Sequence, residues 1–130
     1  MNKIISIELY DRDVMVHFGS RKELRKELAK HFPKAEAKEI AENFADEPLG
    51  RTLLLHSGQV ILYMPKLPLS VADFGTLQHE IFHAAFFILD KAGITLASNC
   101  DEAYSCLIQF LTKRILEGFP ISFSRDARSA

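Results

Sequence analysis

The sequence predicts an α+β domain in which a small antiparallel or mixed sheet packs on helices. Three observations carry that prediction. Short β-branched and aromatic runs bounded by turn residues alternate with segments of helical period. Their order is strands, helices, a hairpin, then two helices, which is a mixed order and not a regular βαβ repeat. The length, 130 residues with 48% hydrophobic and 25% charged side chains, suits one domain with a core of its own.

The elements follow in order. Lys3 to Leu9 and Val14 to Phe18 flank Asp11-Arg12-Asp13, the pattern of a hairpin. Ser20 with Glu23 three residues on is a capping box that opens a helix, and Leu24, Leu28 and Phe32 give it a narrow apolar stripe. Pro33 suits the first turn of a second helix, with Ala37, Ile40, Ala41 and Phe44 on its buried face. Leu53 to Leu55 and Val60 to Met64 flank Ser57-Gly58, a second hairpin, and Pro65 and Pro68 stop its outgoing strand. A long helix is expected from about Asp73 to Ala92, with Gly93 as its stop. Ser98 or Asn99 caps a last helix running to about Glu117. Residues 1–118 thus form the domain, and the polar residues 119–130 form a flexible tail.

Charge and cysteine content exclude several function classes. Sixteen basic against seventeen acidic side chains give a net charge of −1, so nothing offers a basic footprint to nucleic acid or to an anionic membrane. The longest apolar run, Ala84 to Leu89, is far short of the ~20 residues of a membrane span. Cys100 and Cys106, six apart on one helix, make no disulfide framework and suit a reducing compartment. A cytoplasmic protein is the expectation. The charges are also unevenly spread. Residues 48–95 hold only Arg51, Lys66, Lys91, Asp73, Glu80 and Asp90, so an ionisable group in that stretch needs a partner, a metal or a task.

Glu80 stands in His79-Glu80-Ile81-Phe82-His83, an H-E-x-x-H motif on the apolar helix. Residues four apart on a helix project side by side, so both imidazoles can reach one metal ion. The carboxylate after the first His is turned by ~100°, beside the ion, where it can take a proton from bound water. The plain alternative is a pair of hydrogen-bonded core histidines with Glu80 paired to one of them. Two imidazoles also suit transition ions other than zinc.

A third ligand is expected from Glu102, separated from His83 by eighteen residues and near the start of the last helix. Asp90 lies too far along the same helix, by ~10 Å. Glu102 has a competing role as a capping residue, since Asn99-x-x-Glu102 and Ser98-x-x-Asp101 both read as capping boxes. A helical wheel groups it with Ser105 and Gln109.

Over Gly75 to Leu111, this spacing resembles the gluzincins, zinc metallopeptidases in which H-E-x-x-H is followed by a helix-borne Glu. It is similar above all to short single-domain zincin-like proteins of phages and prophages. The resemblance implies a minimal zincin-like fold and one Zn²⁺ bound by His79, His83 and Glu102. It makes Glu80 the general base that activates the zinc-bound water for attack on a peptide carbonyl. It also implies that Val60, Ile61, Leu62 and Tyr63 form an edge strand pairing with an extended peptide or protein substrate. Cys106 stands where some larger members carry a supporting Asp, and no residue is singled out as the oxyanion donor. Tyr104 is expected in the core. The rival reading is a catalytically silent module that binds zinc for structure or binds a protein partner. In either case the helices of residues 20–45 are the material available to cover the site.

Overall fold

The computed structural model describes residues 1–46 and 49–122, an α+β domain with a small mixed sheet and four α-helices. The strands are β1 (Asn2–Ile7), β2 (Arg12–Phe18), β3 (Arg51–Leu54) and β4 (Val60–Met64); the helices are α1 (Arg21–Leu28), α2 (Lys34–Glu42), α3 (Val71–Lys91) and α4 (Asp101–Gly118). In the sheet they run β1-β2-β4-β3. β1 pairs antiparallel with β2, β2 parallel with β4, and β3 antiparallel with β4.

The first strand ends earlier than its composition suggests. Glu8–Tyr10 form a single 3₁₀ turn, closed by Asp11 in the left-handed region (φ 51°, ψ 46°), which Asp tolerates better than most residues. Ser20 caps α1 with the expected box, both reciprocal bonds to Glu23 being formed. The β3–β4 connection is one residue longer than a two-residue turn. Leu55 N–H bonds Gln59 O, and Gly58 N–H bonds Leu55 O, leaving His56-Ser57-Gly58 as the loop.

Alternation along the strands splits the interior into two layers. Val14, Val16, Phe18, Val60, Leu62 and Met64 face α3 and α4, whereas Met15, Ile61 and Tyr63 face α1 and α2. α3 buries Leu77, Ile81, Ala84, Ala85, Ile88 and Leu89, the i, i+4, i+7 pattern of a packed face. Its start lies at Ser70, not at Asp73. Ser70 accepts from Asp73 N–H at 3.2 Å, and Asp73 Oδ2 accepts from Ser70 N–H at 3.2 Å and Leu69 N–H at 3.0 Å. Gly93, at φ +79°, stops it as expected.

Three expectations are corrected here. Val60 to Met64 is no edge: β4 is flanked by β2 and β3, and all five residues are buried. Pro65 and Pro68 follow the strand, so they end it without costing it a ladder bond. The helices of residues 20–45 lie on the sheet face opposite α3 and cannot cover the H-E-x-x-H helix. The boundary at 118 also falls too early. Phe119 is buried, its ring edge-on to Phe18 with centroids 4.8 Å apart, and Ile121 packs against the same core. Residues 123–130 of the expected tail lie outside the described residues. Among the described residues, no helix is long and apolar enough to cross a membrane.

Candidate metal centre

His79 and His83 lie one turn apart on α3, with Nε2 atoms 3.1 Å apart and ring centroids 4.8 Å apart at 71°. Helical spacing alone brings such residues side by side; the converging Nε2 atoms are set by the side-chain rotamers. His79 is exposed and His83 half-buried, so the pair opens outward from a helix whose other face is core.

Two nitrogens each ~2.05 Å from a tetrahedral zinc stand roughly 3.3 Å apart. The observed 3.1 Å is close to that edge, so the pair fits two corners of a tetrahedral ion. It also fits a hydrogen bond between neutral imidazoles, one donating and one accepting.

Glu80 is turned away from the pair, as its place in the helix requires, and is buried at 6% exposure. Its partner is Thr52 on β3. The Thr52 hydroxyl lies 2.9 Å from Glu80 Oε1 and 3.1 Å from the Glu80 backbone oxygen. A hydroxyl has one proton to donate, and the nearer, charged acceptor is the stronger one. Among the described residues Oε2 makes no such bond and is left for other work. Thr52 could not be singled out from spacing, because it lies 28 residues before Glu80 and outside the stretch Leu53 to Leu55 that looked like the strand.

A cleft of about 490 Å³ opens beside this group, lined by Leu49, Gly50, Ala72, Gly75, Thr76, His79 and Glu80. Gly50 permits the close passage of chain that forms one wall: a Cβ there would lie 3.0 Å from Tyr63 O and 3.1 Å from Met64 Cγ. On the other wall Gly75 leaves the space above α3 open.

Glu102 is elsewhere. It lines a second cleft, of about 660 Å³, between the Ser6–Tyr10 segment and α4, with Cys106 Sγ 4.0 Å from its Oε2. On the helix it therefore stacks with Cys106, Phe110 and Arg114, whereas Ser105 and Gln109 line the face where Gln78 bonds Thr112. The capping alternative also fails, since Cys100 holds the N-cap position and no side-chain cap bond is made. Among the described residues, no three His, Cys, Asp or Glu side chains converge as a metal-binding group. The structure thus brings His79 and His83 together, pairs the neighbouring Glu80 with Thr52, and leaves Glu102 apart.

The remaining candidates are structural. Tyr104 is buried as expected and donates to Ile94 O at 2.9 Å. Tyr63 lies between His17 and Phe44 under α2, on the sheet face opposite the histidines, and burial pushes its hydroxyl pKa up. Val60, Ile61 and Leu62 are likewise enclosed. Comparison with known proteins adds no relative: no family model, no curated protein and no solved structure matches the chain.

Proposed function

We propose that the protein is a small zinc-dependent hydrolase, acting on peptide or protein substrates, in which His79 and His83 hold the ion and Glu80 is the general base. The observation that carries this reading is the 3.1 Å approach of the two Nε2 atoms beside a buried carboxylate anchored through one oxygen. Zinc held there supplies a Lewis acid that lowers the pKa of water and polarises a carbonyl. Thr52 fixes the Glu80 carboxylate through Oε1 and leaves Oε2 to take a proton from the attacking water and pass it to the leaving amine. The substrate path suggested by the sheet is the open side of β3, the edge strand that carries Thr52, rather than β4.

A second reading has an observation of its own. The 3.1 Å contact of His79 and His83 is also that of a hydrogen bond between the two rings, which suits a module that binds a partner without turnover. Metal content and hydrolysis separate the two. Zinc measured after dialysis should be near one per chain in the wild type and lost in His79→Ala and His83→Ala. Glu80→Gln should keep the metal and lose at least a hundredfold in peptide hydrolysis. A zinc-loaded wild type that cleaves no member of a broad peptide library selects the silent module. Glu102→Gln tests the third ligand that the gluzincin resemblance implies: unchanged zinc content removes Glu102 from the set.

A further inference from the structure

α3 carries a glycine that its own fold does not require. Gly75 lies past the first turn of the helix, where glycine is less stable than alanine. Its φ is not positive, so no left-handed conformation calls for it. A Cβ there would meet nothing within 4 Å, so no close packing calls for it either. What Gly75 supplies is open space, in the cleft of about 490 Å³ beside His79 and Glu80. That volume falls among those of small-ligand pockets, roughly 300–1,000 Å³. A second observation points into the same space. Among the described residues, His17 Nε2 is the only side-chain polar atom both sealed from solvent and without a hydrogen bond. Glu80 is only 6% exposed, yet its unbonded Oε2 therefore keeps a path to solvent, and it is this cleft that Glu80 lines.

We propose that this cleft holds one side chain of the substrate, an uncharged branched or aromatic one from a residue flanking the scissile bond, and that Gly75 sets its size limit. The proposal rests on the hydrolase reading, which puts the reacting carbonyl beside His79 and Glu80. The chemistry of the walls selects the occupant. His79 and Glu80 are the only ionisable side chains among the lining residues. A basic side chain could pair there only with Glu80, which would remove the base that the reaction needs. Thr76 donates its hydroxyl to Ala72 O at 3.3 Å. Its methyl carbon stands 3.5 Å from where a Cβ of Gly50 would lie, so a methyl group faces the opposite wall. Ala72 and Leu49 complete an apolar surround, and Leu49 is 65% exposed, apolar area that a bound side chain would take from water. The wall at Gly50 is held by its close approach to β4. The room available is therefore set from the α3 side, at Gly75.

The test reads the cleft without requiring turnover. Amide NMR of the metal-free full chain is recorded with capped tripeptides that carry leucine, phenylalanine, alanine or lysine between two alanines. The leucine and phenylalanine peptides should move the Gly50, Gly75 and Thr76 amide signals and bind on the order of tenfold more tightly than the other two. Gly75→Leu should remove that preference, and Gly75→Ala should raise the Tm by roughly 2–4 °C. This result supports the subsite whether or not a peptide is cleaved, so a protein that binds in this way and hydrolyses nothing overturns the hydrolase reading alone. Cleavage by the zinc-loaded protein with no preference for these side chains, or with one that Gly75→Leu leaves intact, overturns the subsite and leaves the hydrolase reading standing. Cleft amides that no peptide moves overturn the subsite as well. So does a lowered Tm in Gly75→Ala, which would make the glycine a requirement of the fold. If Gly75→Leu does not fold, the wild-type shifts and Gly75→Ala decide.

Discussion

Thr52 and Glu80 form a buried pair whose two members come from a strand and a helix, and the balance of that pair is set by what each would lose alone. A buried carboxylate without its hydrogen bond bears most of its desolvation cost. Thr52→Val, close in shape, should therefore lower stability by about 1.5–3 kcal/mol in urea unfolding, and should lower hydrolysis because Glu80 is no longer held. His17 offers a second prediction at this scale. It is 1% exposed on β2, and burial lowers its pKa from the ordinary 6.5, against an opposing pull from Glu23. The folded state then refuses a proton that the unfolded chain accepts, so stability falls as pH drops through about 6.5, the value for the unfolded chain. The fall levels off once His17 itself protonates in the folded protein. His17→Phe should flatten that part of the curve when urea midpoints at pH 7.5 and 5.5 are compared with those of the wild type.

At the scale of elements, α3 is held at its start by the Ser70–Asp73 box and pulled into place by its apolar face. Burial raises the Asp73 pKa, but the Leu69 and Ser70 N–H groups and Lys66 outweigh it and hold the carboxylate below its usual value. Its contribution is present above the unfolded carboxylate pKa and is lost as pH falls toward the folded one. Ser70→Ala should cost about 1 kcal/mol, read as a lower Tm, and because the box lies two turns before His79 it should leave zinc content unchanged. α4 shows the opposite situation. With no side-chain cap at Cys100, its position depends on packing of Tyr104, Leu107, Leu111 and Ile115, and that packing turns Glu102 toward the Ser6–Tyr10 segment.

Across the whole molecule, the sheet separates the charged α1–α2 layer from the α3–α4 layer, so α1 and α2 leave the histidines uncovered. The α3–α4 layer is closed at one end by Phe119, which packs on Phe18 and lies 5.7 Å beneath the Lys3 ammonium. Phe119→Ala should cost about 3–5 kcal/mol in chemical unfolding. A residue of a frayed tail would cost nothing, so the measurement also decides where the domain ends.

The parts legible in the sequence are those fixed by short-range geometry. H-E-x-x-H at helical spacing dictated that His79 and His83 share a face and that Glu80 turn aside; the Ser20 box and the Gly93 stop were legible for the same reason, since each is a bond or a dihedral within a few residues. Tertiary structure decided what depends on distant partners. Which strand is an edge depends on the parallel pairing of β2 with β4, between segments more than forty residues apart, and proline positions could not reveal it. The Thr52 bond to Glu80 depends on β3 lying against α3. The placement of Glu102 depends on how α4 rotates to bury its own apolar side chains, a sum of many weak contacts that no residue spacing encodes.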